Sequence, residues 1–565
     1  MSASLLPPRR SLSGRTVQRL FRRSVPRWSR TTAPELLPRL LRSLGLALLA
    51  ALLAAPLAVA WGIGHARVQD YLGPNEVELA ATYDGEVQID LGPLGNAYLP
   101  SPAAPVGLDI NVGGVGATAG AASVFSEQTL TAYTTLFADP QEAVAGIVER
   151  LVADIVVESL QAEAVAMLAF ALWVLRRQLL SPAVVRHTSL RRTAAVYGTV
   201  VVVIIGSILA PAPRQQPTTR LPVAVATGTQ LQGLTVDNLV LSNLLDRGIK
   251  GVTLLTQRQQ NAVQRYIDSA AESLTTQFSK LPKAAPGERM YLGFSDLHCN
   301  QAMTELIKRL AAITSPDQVF SSGDDTVHGT AAERGCITRE SRIAAGAPFL
   351  VSTGNHDSDI TESQMQNAGM VVLDGKVVES EGLAVVGDDD PERQVPFSVE
   401  RVTDRAETEE QFGQRMVDVA AAEETDVMLL HQPAASVVVM NTPNPPARLV
   451  LWGHYHSQAR PAVVVHDDGT WTVGMQQGTA GGVREPMFTS FSTPFSPPLI
   501  TADVYFYFRD NATGLITGVQ PVHFLPNARV VIDKPIPTGD LTALPPETRE
   551  ELGGATPTPL AESPR

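Results

Sequence analysis

The sequence predicts an α/β domain carried behind membrane-spanning helices. Three observations predict it: long uncharged apolar stretches in the first half, an uneven spread of arginine, and a later series of short apolar runs ending in acids or histidines. The chain has 565 residues, 44 Lys+Arg against 57 Asp+Glu, and a formal charge of -13. A hydrophobic share of 44% excludes disorder and leaves ample residues for a core, and at about 150 residues per domain the length allows three or four units. Two cysteines cannot make a disulfide framework. The acidic balance argues against nucleic-acid binding, which rests on Lys and Arg neutralising phosphates.

Residues 1–42 are an Arg-rich tail: ten Arg lie between Arg9 and Arg42, against one acid, Glu35. Residues 43–64 (SLGLALLAALLAAPLAVAWGIG) are uncharged and match the roughly 20 residues a helix needs to cross about 30 Å of hydrocarbon. A cleaved signal peptide is the alternative, but the basic region before it is longer than such signals carry. Residues 65–154 are acidic, with two Arg and thirteen Asp or Glu over 66–160. A weaker span follows at 155–175, interrupted by Glu158 and Glu163; a buried helix is its alternative. Residues 176–192 carry Arg176, Arg177, Arg186, Arg191 and Arg192 without an acid, and 193–212 form another uncharged span closed by Pro211 and Pro213. The positive-inside rule places both Arg-rich segments in the cytoplasm, which requires three crossings. The expected protein is therefore multi-pass in the cell membrane, with 65–154 and all after 213 extracytoplasmic and the lipid bilayer as a partner.

Within 65–154, residues 76–91 alternate around Asp84-Gly85, which predicts a β-hairpin in a small β-rich module. Pro100–Ala122 reads as turns. Residues 213–286 read as a linker with a stalk helix over 254–278, ending at a Pro282–Gly287 boundary. The next domain is expected over 287–527. Past it, 528–565 are rich in Pro, Thr and Glu and predict a disordered tail.

From Met290 onward five short apolar runs end in polar clusters: Asp296-Leu297-His298, Gly323-Asp324, Gly354-Asn355-His356-Asp357, His431, and Gly453-His454-Tyr455-His456. Each run reads as a buried strand, and their tips predict one crevice at the carboxyl edge of a sheet. Imidazole and carboxylate without thiolate suit divalent Mn, Fe, Zn or Mg. Seven candidate ligands exceed the need of one ion. Two ions about 3.5–4 Å apart would clamp the attacking and leaving oxygens of a displacement at phosphorus, with a hydroxide between them as nucleophile.

These five blocks, in this order over roughly 288–526, resemble the calcineurin-like metallophosphoesterases. The resemblance implies a four-layer α/β sandwich and metal-dependent hydrolysis of a phosphate mono- or diester. It also implies that Asp296, His298 and His456 hold one metal, that Asn355, His431 and His454 hold the other, and that Asp324 bridges them. His356 matches the family's histidine that protonates the leaving oxygen or binds phosphate, and Asp357 would orient it. Gly478-Thr479-Ala480-Gly481 looks like a small-residue turn common after the last histidines. Where phosphoprotein phosphatases of this fold read GD-x-x-D-R-G, this chain has Gly323-Asp324-Asp325-Thr326-Val327-His328-Gly329. The orienting Asp and phosphate-binding Arg are thus replaced by Val327 and His328, which favours bacterial phosphodiesterases and phosphomonoesterases.

Several residues have plainer readings. His328 is a loop residue or a substrate contact, while His466 and His523 read as structural or exposed. Asp388-Asp389-Asp390 reads as a solvated turn before a cation site. Cys299 and Cys336 are buried thiols or, in an oxidising compartment, a disulfide pinning the loop of His298. A membrane scaffold or receptor that keeps the fold without turnover is the competing function.

Overall fold

The computed structural model describes residues 33–73, 75–113, 140–179, 220–224, 231–396, 400–403, 405–483 and 497–543. The expected span at 193–212, the Arg-rich tail up to residue 32 and most of the loop at 176–192 lie outside them. The chain divides into two compact units, Met1–Trp61 with Glu158–Ser207 and Gly62–Val157 with Ile208–Arg565.

The first unit is described through parts of two helices, α1 (Ala33–His65) and α2 (Pro140–Leu179). Ala47–His65 and Val144–Leu172 are apolar and long enough to cross a membrane. Leu48, Leu52, Leu160, Val165 and Leu168 present their side chains outward.

In the second unit, β1 (Arg67–Leu72), β2 (Asn75–Thr82), β3 (Glu86–Asp90), β4 (Asn96–Pro100) and β5 (Gly107–Val112) form a sheet with β6 (Leu221–Pro222) and β7 (Thr235–Val236), in the order β1-β2-β5-β3-β4-β7-β6. The expected β2–β3 hairpin is not formed. Strand β5 lies between the two, antiparallel to β2 and parallel to β3, so the segment read as turns supplies a central strand. Gly107 permits the insertion: a Cβ there would collide with the Asp84 carboxylate and the Glu86 carbonyl. Ile147 and Leu151 of α2 bury against Val68, Val77 and Leu79, while Arg150 pairs with Asp70 at 2.6 Å.

Asn238 caps α3 (Leu239–Thr276) by accepting from the Leu241 N–H. This helix starts fifteen residues before the expected stalk, and its second half is no stalk. Val263, Tyr266, Ile267, Ala270 and Leu274 join the core of the following domain, because they repeat at helical spacing on one face.

That domain has two facing sheets. The first is built from β8 (Glu288–Phe294), β9 (Gln318–Ser321), β10 (Phe349–Val351), β11 (Val371–Val372), β20 (Ala502–Asp510), β21 (Ile516–Phe524) and β22 (Val530–Ile532), in the order β11-β10-β9-β8-β20-β21-β22. The second is built from β12 (Val378–Ser380), β13 (Leu383–Gly387), β16 (Val427–Leu429), β17 (Leu449–Trp452), β18 (Ala462–Val465) and β19 (Trp471–Gln476), in the order β12-β13-β16-β17-β19-β18. Between β13 and β16 a separate hairpin pairs β14 (Glu392–Gln394) with β15 (Arg401–Thr403). Alternation along each strand sorts the layers. Met290, Leu292 and Phe294 face helices Leu239–Thr276 and Gln301–Thr314, whereas Tyr291 packs between the sheets with Phe320, Val427, Leu429 and Leu451. Met428 and Val450 face helices Glu409–Ala422 and Pro433–Asn441. The result is helix, sheet, sheet, helix. The predicted tail begins later than 528, since Val530–Ile532 pairs with β21 and Thr538–Thr542 is helical.

Replacing Gly107 by Val forces overpacking at the centre of the first sheet. Chemical denaturation should show a loss of about 1–3 kcal/mol, and an unchanged midpoint would refute the close approach.

Candidate metal centre

The five strand tips meet, but not at one sheet. β8, β9 and β10 bring Asp296, His298, Asp324, Asn355 and His356 from one sheet, while β16 and β17 bring His431, His454 and His456 from the other. The crevice lies where the carboxyl edges of the two sheets converge.

Each tip turns sharply. Asp296 (φ 55°), His298 (φ 47°), Asp324 (φ 57°), His454 (φ 72°) and His456 (φ 53°) all adopt left-handed backbone. For non-glycine residues this costs on the order of 1 kcal/mol or more apiece and persists only where other bonds enforce it. Here they do: Asp296 N–H donates to Gly323 O at 2.9 Å, His298 N–H to Asp324 O at 3.0 Å, and His454 N–H to the Asp296 carboxylate at 3.1 Å. Gly453 and Gly354 let the tips approach, because a Cβ on either would collide with the Asp296 or Asp324 carboxylate.

Two groups of donor atoms result, Asp296, His298 and His456, and Asp324, His431 and His454. His456 Nε2 lies 3.3 Å from Asp296 Oδ1 and 3.1 Å from His298 Nε2, and His431 Nε2 lies 3.1 Å from Asp324 Oδ2 and 3.3 Å from His454 Nδ1. Asp324 reaches toward the other group as well, with Oδ2 3.9 Å from His298 Nε2.

The other ring nitrogens decide what these contacts mean. His298 Nδ1 meets Thr326 O at 2.9 Å, His431 Nδ1 meets Ser322 O at 2.9 Å, and His456 Nδ1 meets Val483 O at 2.8 Å. A carbonyl only accepts, so each Nδ1 carries the proton and each neutral ring presents a lone pair at Nε2. His298 and His456 then aim two lone pairs at each other beside a carboxylate, which is repulsive unless a cation sits among them. Burial, helped by His456 and His356 and opposed by Asp324 and Asp296, leaves His298 at about 3, and burial with His431 brings His454 to about 3, so both rings are neutral at physiological pH. His431 differs: against the effect of burial, Asp324 holds it above its ordinary value, so without a cation this ring keeps a proton on Nε2 toward the Asp324 carboxylate, which a metal would have to displace. Among the described residues, buried Asn355 has no partner for either side-chain atom, a cost of about 1–3 kcal/mol that a ligand would remove. The donors present therefore fit hard or borderline divalent cations.

His356 stands apart from both groups, its ring 5.1 Å from that of His298 between centroids. Val327 O fixes its Nδ1 at 2.8 Å, and its backbone N–H donates to Asp324 Oδ1 at 2.8 Å. Asp357 does not orient this ring. Its carboxylate accepts from the N–H groups of Gly354 (2.9 Å), Asp324 (2.9 Å) and Thr326 (3.0 Å), and so clasps the loops of two candidate ligands. Sequence reasoning missed Arg393, whose buried guanidinium donates to Gly354 O at 2.8 Å, and Arg401, paired in register with Gln394, whose N–H donates to Asn355 O at 2.8 Å. Only their hairpin, a tertiary feature, links them to the centre.

The remaining candidates are structural. Asp388 pairs with Arg405 and Arg415 and Asp389 with Arg405, while buried Asp390 accepts from the Glu392 N–H and Gln432, so the triplet is paired within the fold rather than solvated. His523 bridges Asp503 and Asp533, and His466 bonds Thr472. Burial and His356 push His328 down to about 3. Cys299 and Cys336 form a disulfide, with Cα atoms 5.1 Å apart.

Residues 291–458 match the family model of the calcineurin-like phosphoesterases. No curated protein matches. Among solved structures, an archaeal phosphodiesterase is similar at 12% identity, covering 43% of this chain and 99% of its own, with a TM-score of 0.24. A protein of Thermus thermophilus shares 14% identity over 40% of this chain and 96% of its own, with a TM-score of 0.26. A metallophosphoesterase from Sphaerobacter thermophilus shares 12% over 47% and 100%, with a TM-score of 0.19. This region is thus a calcineurin-like phosphoesterase domain, and its family implies metal-dependent hydrolysis of phosphate esters.

Removing the clasp by Asp357→Ala orphans several buried N–H groups at about 1–3 kcal/mol each. The variant should melt earlier and bind less divalent metal by elemental analysis; wild-type melting and metal content would contradict the clasp.

Proposed function

We propose that this protein is a membrane-anchored phosphoesterase that hydrolyses a phosphate mono- or diester outside the cytoplasm. The observation that carries the chemistry is the convergence of imidazole lone pairs and carboxylates on two adjacent points. Asp296, His298 and His456 would hold one divalent ion, Asn355, His431 and His454 a second, and Asp324, facing both groups, would bridge them. Bound there, such ions supply Lewis acidity toward phosphoryl oxygens and lower the pKa of water.

The protein's own groups perform the rest. His356, fixed through Nδ1 by Val327 O, would in its imidazolium form donate the Nε2 proton to the leaving oxygen and be left as the neutral ring. Arg401, exposed on the hairpin and 3.5 Å from Glu392, acts on His454 electrostatically and would offer the positive charge that the missing arginine of the second block would have given.

Sheet pairing supports the topology. If Ala47–His65 and the part of Val144–Leu172 beyond the packed residues Ile147 and Leu151 both cross the bilayer, residues 67–112 and those following 179 begin on opposite sides. Yet β7 pairs with β4, and Arg220 bonds both carboxylate oxygens of Glu86 at 2.6 and 2.9 Å. This favours a third crossing, for which the sequence offers its uncharged run at 193–212. The cysteine pairing also suits an oxidising compartment.

Asp324→Asn and His431→Ala should each abolish turnover of nitrophenyl phosphate and bis-nitrophenyl phosphate with Mn supplied; near wild-type rates would reject the site. His356→Ala should slow turnover by about 10²–10⁴-fold with metal content intact. Reporter fusions after Arg192 and after Ala212 should read cytoplasmic and external respectively, and the same side for both would overturn the third crossing.

A further inference from the structure

The segment Thr326–Cys336 touches the metal centre on one side and helix α2 on the other. Inward, Thr326 O holds His298 Nδ1 and Val327 O holds His356 Nδ1. Between the two sides, buried Glu333 stiffens the segment, its carboxylate accepting from the N–H groups of Val327 (2.7 Å), His328 (3.1 Å) and Thr330 (2.8 Å). The far end is tied by Cys336 to Cys299, beside His298.

Outward, Ala331 is fully buried in the cluster formed by Ile147 and Leu151 of α2, with Ala332 and Ile360 packed against it. Gly146 passes so close that a Cβ would collide with the Ala331 carbonyl. Gln364 Nε2 donates to that same carbonyl at 3.1 Å, and Arg334 pairs with Glu149 at 3.1 Å. The ion pair is exposed and contributes little. The backbone contact at Gly146 is the sensitive one.

We propose that residues 146–151 of α2 are a positioning element for the reaction, setting through Ala331, Glu333 and Val327 O where the His356 ring stands. The proposal rests on the proton-donor role given to His356 above. The imidazole is anchored by one carbonyl, and that carbonyl is anchored by a segment wedged against the helix. A displacement of the helix therefore moves the donor, and misplacement of a reacting group by about 1 Å can cost roughly 10²-fold. The ligand atoms are held from other directions as well, so the proton donor should suffer first.

The test uses the full-length protein in detergent, with Mn, on two aryl phosphates. Nitrophenol leaves without help, whereas phenol needs the proton. Gly146→Val, which also lowers the melting temperature through the clash with the Ala331 carbonyl, should lower kcat on the phenyl ester tenfold or more and on the nitrophenyl ester little, with KM and metal content of the folded protein near wild type. In a His356→Ala background it should cost nothing further, because the group it acts through is gone. Equal losses on both esters, full additivity with His356→Ala, or an unchanged phenyl ester rate would overturn the coupling. Should Gly146→Val fail to fold, Gln364→Leu, which frees the Ala331 carbonyl, should give the same leaving-group-dependent loss, and wild-type rates on both esters would overturn it. If His356→Ala alone leaves both rates unchanged, the proton-donor reading fails, an outcome distinct from failure of the coupling.

Discussion

Three backbone carbonyls, of Thr326, Ser322 and Val483, determine the character of the centre. By taking the Nδ1 proton of His298, His431 and His456, they oblige each neutral ring to present a lone pair on its other nitrogen. The Nε2 atoms of His298 and His456 meet 3.1 Å apart beside the Asp296 carboxylate, where two neutral rings have only repulsion to offer each other, and His431 Nε2 faces the Asp324 carboxylate. A protein does not gain stability from such an arrangement, which makes sense as a receptacle for positive charge. The left-handed turns at Asp296, His298, Asp324, His454 and His456 are the backbone's side of the same arrangement, strained conformations maintained by bonds from one strand tip to the next.

How much of this was legible in the sequence depends on the range of the interaction. The strands before Asp296, Asp324, Asn355, His431 and His454 could be read because each is a short run, buried on both faces, that stops at a polar residue. The division of those strands between two sheets could not, since both sheets use the same Val- and Leu-rich parallel strands and nothing local says which neighbour each will take. Asp357 shows the limit at a single residue. Beside a histidine in sequence it looks like that ring's partner, but its carboxylate is claimed by N–H groups of two loops. Arg393 carried no signal, because its role exists only once a hairpin folds over Gly354.

Long helix α3 shows the same distinction. Its polar surface reads as a stalk, and only the spacing of Val263, Tyr266, Ala270 and Leu274 reveals that its second half belongs to the phosphoesterase domain's outer layer. The disulfide is intermediate. Two cysteines near the first and second blocks invite pairing, but only the folded loop brings their Cα atoms to 5.1 Å.

The sheet that β4 shares with β7 has a consequence for biogenesis. Strand β4 ends at Pro100, and its partner begins at Thr235, after two long apolar segments have been synthesised. At about 5–20 residues per second, the edge of β4 waits unpaired for roughly 7 to 27 seconds. During that interval its N–H and C=O groups are open to any passing extended chain. Completion of this sheet is therefore paced by synthesis of the intervening chain rather than by intrinsic folding speed.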